Sequence, residues 1–140
     1  METGKTVSQM KIGDSAEFTK TVTEFDIYQF AGITGDFNPA HVNEEYAKNT
    51  MFKTRIAHGM LSAGFISTVL GTKLPGPGVI YLKQDIVFLA PVKIGDTVTA
   101  RVEVKELIPE KNRVVLRTQC INQDGKELID GEAVMMPPKK

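Results

Sequence analysis

GMLSAGFISTVLGT, residues Gly59 to Thr72, is the stretch on which the architecture turns. Its apolar residues, Met60, Leu61, Ala63, Phe65, Ile66, Val69 and Leu70, fall on nearly every face of a helix. A helix that is apolar all round is normally buried on all sides. Crossing a membrane takes about 20 predominantly apolar residues. The wider run from Ile56 to Leu74 is interrupted by His58, Ser62, Ser67, Thr68, Thr72 and Lys73, so it reads as a core helix instead. Pro75-Gly76-Pro77-Gly78 then ends it firmly, because proline cannot continue a helix and glycine frees the turn.

Downstream of Gly78 the hydrophobic period changes from helical to two. Val79 to Leu89 predicts a long strand. Thr97 to Leu107 alternates cleanly, with Val98, Ala100, Val102 and Val104 inward and Thr99, Arg101, Glu103 and Lys105 outward. Asn112 to Asn122 and Glu127 to Met136 repeat the pattern. Pro109 to Asn112 marks one turn, and Asp124-Gly125 favours a tight hairpin. Four strands in this order predict an antiparallel meander, with Pro137 to Lys140 as a frayed tail. Upstream, Ala16 to Val22 predicts a fifth strand. Thr23 and Asp26 have the spacing of a helix-capping box, with Asp in place of Glu. A helix then runs to about Thr34, a bend covers Gly35 to Pro39, and Asn43 caps a short helix from Glu44 to Lys48. The expected class is α+β: a curved antiparallel sheet of about five strands wrapped around a long central helix.

At 140 residues this is one domain, with a core at about 15–136 and enough length to fold without staples. Seventeen basic and seventeen acidic residues cancel, which removes the electrostatic signature of nucleic-acid or membrane-surface binding. The single cysteine, Cys120, cannot form an intramolecular disulfide and sits in a strand-like run, where a buried, inert thiol is expected. Residues 1–14 contain no apolar signal segment, so a cytoplasmic location is expected. The two histidines and one cysteine lack the spacing of a metal site, and no glycine-rich phosphate loop is present, so neither metal nor cofactor is expected.

The chemistry concentrates in Thr34 to Ala47, TGDFNPAHVNEEYA. Asp36 and His41 flank Asn38-Pro39, and proline there prevents one regular helix from running through. Gly35 permits a sharp turn just ahead. A carboxylate and an imidazole can therefore fold back toward each other and handle one water or one proton together.

These residues resemble the signature of the MaoC-like dehydratase family and its R-specific enoyl-CoA hydratases. In that family an aromatic residue precedes Ser/Thr-Gly-Asp-x-Asn-Pro-x-His, and a small residue follows six positions after the histidine. Here the positions are Phe30, Thr34, Gly35, Asp36, Asn38, Pro39, His41 and Ala47. Ile56-Ala57-His58-Gly59-Met60-Leu61 is similar to the start of the family's central helix, and Tyr81 to Val92 with Ile94-Gly95-Asp96 to its strand–loop–strand block. The likeness covers most of residues 15–136 and departs at Arg55, where many relatives carry proline.

The resemblance implies a single hot-dog fold and the reversible syn addition of water to a trans-2-enoyl-CoA, giving the (R)-3-hydroxyacyl-CoA. Asp36 is then the base toward water and His41 its partner, donating to C2. Gly59 is the oxyanion donor, at a helix start where amides lack intrahelical partners and the dipole favours negative charge. Asn38 holds its own bend or a catalytic neighbour, and Ser67 matches a polar position near the family's active site. His58 is expected to pack or satisfy a carbonyl. Lys53, Arg55, Lys73 and Lys83 are candidate cations for the CoA phosphates. The resemblance also implies a homodimer joined edge to edge, with fatty acid metabolism as the setting, and the unbroken helix favours short acyl chains. The alternatives are a dehydratase acting on 3-hydroxyacyl chains of acyl carrier protein, a hot-dog thioesterase, and a non-catalytic acyl-binding module.

Overall fold

The computed structural model describes residues 2–140. A 3₁₀ turn at Val7–Gln9, the first of two among the described residues, leads to strand β1 (Ser15–Thr21) and helix α1 (Glu24–Thr34). Two one-turn helices follow, α2 (Pro39–Val42) and α3 (Glu44–Ala47), and then the long helix α4 (Gly59–Thr72). Strands β2 (Ile80–Phe88), β3 (Thr97–Ile108), β4 (Arg113–Ile121) and β5 (Glu127–Met136) complete the chain.

The capping box forms as expected. The Asp26 amide donates to Thr23 Oγ1 (3.2 Å), and the Thr23 amide donates to Asp26 Oδ2 (2.9 Å). Helix α1 ends because Gly35 takes a left-handed conformation (φ 83°), open to glycine at little steric cost. The Asn-Pro pair does break the helix, but it also starts a new one. Pro39 is the first residue of α2 and Asn38 Oδ1 accepts from the Ala40 amide (3.0 Å), so His41 sits on a one-turn helix and not in an open bend.

All five strands join one antiparallel sheet in the order β1-β3-β4-β5-β2. The expected four-strand meander is therefore only partly realised. β3, β4 and β5 follow one another, whereas β2 pairs with β5 at the far edge. A loop from Leu89 to Asp96, turned at its end where the Asp96 amide donates to the Lys93 carbonyl (3.0 Å), lets the chain leave β2 at one edge and enter β3 beside β1. The β4–β5 hairpin turns at Gly125 (φ 76°), with Asn122 Oδ1 accepting from the Asp124 and Lys126 amides. The C-terminal tail is held more firmly than expected: Pro137 is buried and its carbonyl accepts from Asn112 Nδ2 (2.9 Å).

The concave face of the sheet wraps α4. Val98, Ala100, Val102 and Val104 of β3, with Leu116 and Cys120 of β4, meet Phe65, Ile66, Val69 and Leu70 of the helix, all buried. Each such large side chain withdrawn from water contributes about 1.5–3 kcal/mol. The helix is not buried on every side within the chain. Met60, Gly64 and Ser67, at helical spacing, form an open stripe on the face away from the sheet. Phe18 of β1 packs edge-on against Phe65 (centroids 5.7 Å apart), which ties the first strand to the same core.

Candidate active site

Two ends of α-helix and one connector meet at the residues singled out in the sequence. Asp36 lies one residue past the left-handed cap of α1, His41 rides on α2, and the connector 54–58 runs beside them into Gly59, the first residue of α4. One ligating side-chain atom each of Asp36, His41 and His58 lies within 4.8 Å of the others. A water held at about 2.8 Å from two partners bridges separations up to about 5 Å, so one molecule can touch both the carboxylate and an imidazole.

Main-chain bonds fix the orientation of each group. Asp36 Oδ1 accepts from the Asn38 amide (3.1 Å), leaving Oδ2 directed at the histidines, 4.0 Å from His58 Nε2. His41 Nδ1 lies 2.7 Å from the Ile56 carbonyl, which makes it the protonated nitrogen and leaves Nε2 for chemistry. His58 Nε2 likewise donates to the Asp36 carbonyl (2.9 Å), as expected for a packing histidine. Its ring is buried, lying against His41 with centroids 3.8 Å apart and packed at a 50° tilt against Phe30 at 4.7 Å. Asp36, His41 and His58 thus cluster like metal ligands. The nitrogen of His58 that faces the carboxylate, however, is donating a proton and has no lone pair for an ion. The arrangement suits proton traffic through Asp36 Oδ2 and His41 Nε2.

Behind the connector lies an apolar cavity of about 510 Å³, lined among others by Phe52, Ile56, Gly59, Phe88, Leu89 and Leu128. Ile56 and Gly59 belong to its wall, while the Ile56 carbonyl holds His41 and the His58 ring lies against it, so the acid–imidazole pair and the cavity share the segment 56–59. The Gly59 amide has no hydrogen-bond acceptor among the described residues. Phe88 covers the Gly59 Cα so closely that a Cβ there would fall 2.6 Å from its ring, so any larger residue would push Phe88 aside. The structure therefore brings Asp36 and His41 together and places Gly59 next in the chain to His58, which packs against both. Asn38 caps α2 through its side chain, a structural use. Ser67 stands on the open stripe of α4, eight residues beyond Gly59 and about 12 Å along the axis, and is not part of the cavity wall.

Sequence reasoning missed Glu24, Tyr28 and Glu44, which surround Arg55. Its guanidinium donates to Glu24 Oε1 (2.7 Å), Tyr28 Oη (2.8 Å) and Glu44 Oε2 (3.3 Å). Arg55 is thus engaged and unavailable to a phosphate. Lys73 Nζ is bonded to the Glu17 carbonyl and Lys83 faces Asp85. The available signal was the pair of acidic residues opening α1 and α3, Glu24 and Glu44, which invite a cation.

The model of the MaoC like domain matches residues 7–124. The chain belongs to the MaoC-like family. It is 62% identical over 131 residues to an (R)-specific enoyl-CoA hydratase of Rhodospirillum rubrum, covering 94% of this chain and 90% of that protein. It is 49% identical over 131 residues to a 3-hydroxybutyryl-CoA dehydratase of Methylorubrum extorquens, with coverages of 94% and 83%. Among solved structures, the R-hydratase PhaJ1 from Pseudomonas aeruginosa in its unliganded form superposes with a TM-score of 0.92 at 46% identity, over 98% of this chain and 88% of that one. The sheet wrapped on α4 is accordingly a hot-dog fold, as the MaoC-like resemblance implied. No described helix is long and apolar enough to cross a membrane.

Proposed function

We propose that this MaoC-like chain is an (R)-specific enoyl-CoA hydratase, a hydro-lyase that reversibly adds water to trans-2-enoyl-CoA. The observation that carries the reading is the convergence of Asp36 and His41 beside an unbonded amide at the wall of an apolar cavity. Asp36 Oδ2 takes a proton from water as the water oxygen bonds to C3. The C2–C3 π electrons move toward the thioester oxygen, and the Gly59 N–H meets the charge that develops there. The proton taken by Asp36 passes across the pair to His41 Nε2, which carries none of its own while Nδ1–H is held by the Ile56 carbonyl, and from there to C2, so both groups end as they began. Addition to one face, syn, follows from one pair handling both the water and the C2 proton. Helix α4 has no acidic residue, which disfavours a thioesterase carboxylate there.

The thioester tail is assigned to the cavity side of Gly59, with Lys53, beside the cavity residues Met51 and Phe52 and in no ion pair among the described residues, as the cation for a CoA phosphate. The minimal active unit is a homodimer paired through β2. That edge strand exposes Ile80, Leu82, Val87 and Phe88, whereas the other edge, β1, turns Glu17, Thr19 and Thr21 outward. Any edge strand can template another, and exposed apolar side chains favour that pairing while polar ones discourage it. One catalytic domain acting in the cytoplasm, on fatty acyl intermediates and without a cofactor, completes the reading.

The test is the loss of the enoyl thioester's ultraviolet absorbance on crotonyl-CoA, followed by chiral analysis of the product. (R)-3-hydroxybutyryl-CoA supports the proposal; tight binding with no turnover, or release of free thiol, overturns it. Parallel assays on carrier-protein thioesters separate the hydratase from a carrier-protein dehydratase.

A further inference from the structure

We infer that Arg55 is a positioning residue for the acid–imidazole pair, acting through the connector that holds the His41 ring. The inference rests on the hydratase reading above for its kinetic arm only. The Arg55 side chain is 15% exposed, and its fork spans three elements. It reaches α1 through Glu24 and Tyr28 and α3 through Glu44, while its own main chain is the connector. Glu44 is held to that connector three times over. Its Oε2 accepts from the Arg55 amide (3.0 Å) and from Arg55 Nε, and its Oε1 accepts from Thr54 Oγ1 (2.9 Å). Tyr28 closes the loop by donating to Glu24 Oε1 (3.2 Å).

These are the elements that carry the site. Asp36 follows the cap of α1, His41 lies directly ahead of α3, and Gly59 ends the connector. The residue after Arg55 makes the two bonds that matter most. The Ile56 amide donates to the Ala40 carbonyl (3.2 Å), and the Ile56 carbonyl accepts from His41 Nδ1. Arg55 is thus one peptide away from the bond that selects the His41 tautomer. An ion pair whose carboxylates are half exposed contributes little to stability by itself, so the effect of this one lies in geometry. Lysine could not replace it. A single ammonium on a flexible stem does not reach acceptors spread over α1 and α3, whereas a guanidinium presents five donors in a rigid fork.

The experiment compares wild type with Arg55→Lys and with Glu24→Gln, an isosteric change at a residue half exposed that keeps the fold if Arg55→Lys does not. A displacement of about 1 Å at a reacting group can lower the rate up to about 100-fold. The expected result is therefore a kcat reduced by about 10- to 100-fold in Arg55→Lys, less in Glu24→Gln, with KM nearly unchanged. The ring ¹⁵N resonances of His41 should move from a single Nδ1–H tautomer toward a mixture in the folded variants. A wild-type kcat, or a lowered kcat with unmoved His41 resonances, overturns the inference. The resonance arm needs no substrate, so it decides the role of Arg55 even if the wild-type chain proves unable to hydrate crotonyl-CoA.

Discussion

The concave face of the sheet and the bend at 35–43 are built on opposite principles. In the first, Val98, Ala100, Val102, Leu116, Ile66 and Leu70 are sealed against one another by area and shape, with almost no polar atom involved. In the second, the side chains of Asp36 and His41 are held by single bonds to main-chain groups and remain partly open to solvent. One region sets stability through many interchangeable contacts, and the other sets chemistry through a few that are not. Substitutions should therefore separate cleanly into two kinds.

The sharpest division comes from Asp36→Asn and His41→Gln. Each removes an acid–base group, and such groups are worth about 10²–10⁴-fold in rate, so turnover of crotonyl-CoA should fall by that factor. The urea midpoint should move far less than on truncating the core: Asp36 is half exposed, where substitutions usually change stability by within about 0.5 kcal/mol, and His41→Gln gives up one hydrogen bond, about 0.5–1.5 kcal/mol. Ile66→Ala is the converse. Truncating a fully buried isoleucine costs about 2–5 kcal/mol, read as a lower urea midpoint, while the rate per folded molecule is retained. A bend variant that unfolds the chain, or a core variant that silences it while folded, breaks the division.

Gly131→Ala probes the seam between the two regions. A Cβ there would lie 1.9 Å from the Asp85 main-chain oxygen, so β2 and β5 must part. Overpacking of this kind costs about 1–3 kcal/mol and should also disturb Phe88, three residues along β2 from the strained contact. Both the urea midpoint and the rate should fall, which neither region's own variants do. Chemical labelling checks the core at finer scale. Burial pushes the Cys120 thiol up to about 12, so a thiol reagent at mildly alkaline pH should leave the native chain unlabelled and label it fully once unfolded.

The smallest expected effect concerns acid. The Arg55 guanidinium holds the Glu24 carboxyl below its ordinary value of 4.5, and the Arg55 amide does the same for Glu44. A carboxyl depressed in the folded state adds stability that is present above 4.5 and is lost as pH falls through the folded value. Melting curves taken downward from pH 4.5 should therefore show a slightly steeper loss in wild type than in Arg55→Ala; parallel curves would deny the contribution.

The core was legible because its signals are local. The period of two fixed β3 and β5, and the apolar run with its Pro-Gly stop fixed α4 to the residue. The partner of β2 was not legible: alternation says which face a strand buries and nothing about which strand lies beside it. The open stripe of Met60, Gly64 and Ser67 escaped for a related reason, since residue type does not say which side of an apolar helix lacks a neighbour. At the site, Asp36, His41 and Gly59 could be named from the motif with its glycine and proline chemistry. The cluster of Glu24, Tyr28, Glu44 and Arg55 joins residues 31 apart in sequence through long side chains, and no spacing rule finds it.

The proposal that Asp36 and His41 act as one unit on a single water is tested most directly by combining Asp36→Asn with His41→Gln and measuring kcat on crotonyl-CoA for both single variants and the double. Groups that share one step are strongly non-additive, so the double variant should be about as slow as the slower single one. If the two losses multiply, the groups act independently and the shared water is wrong.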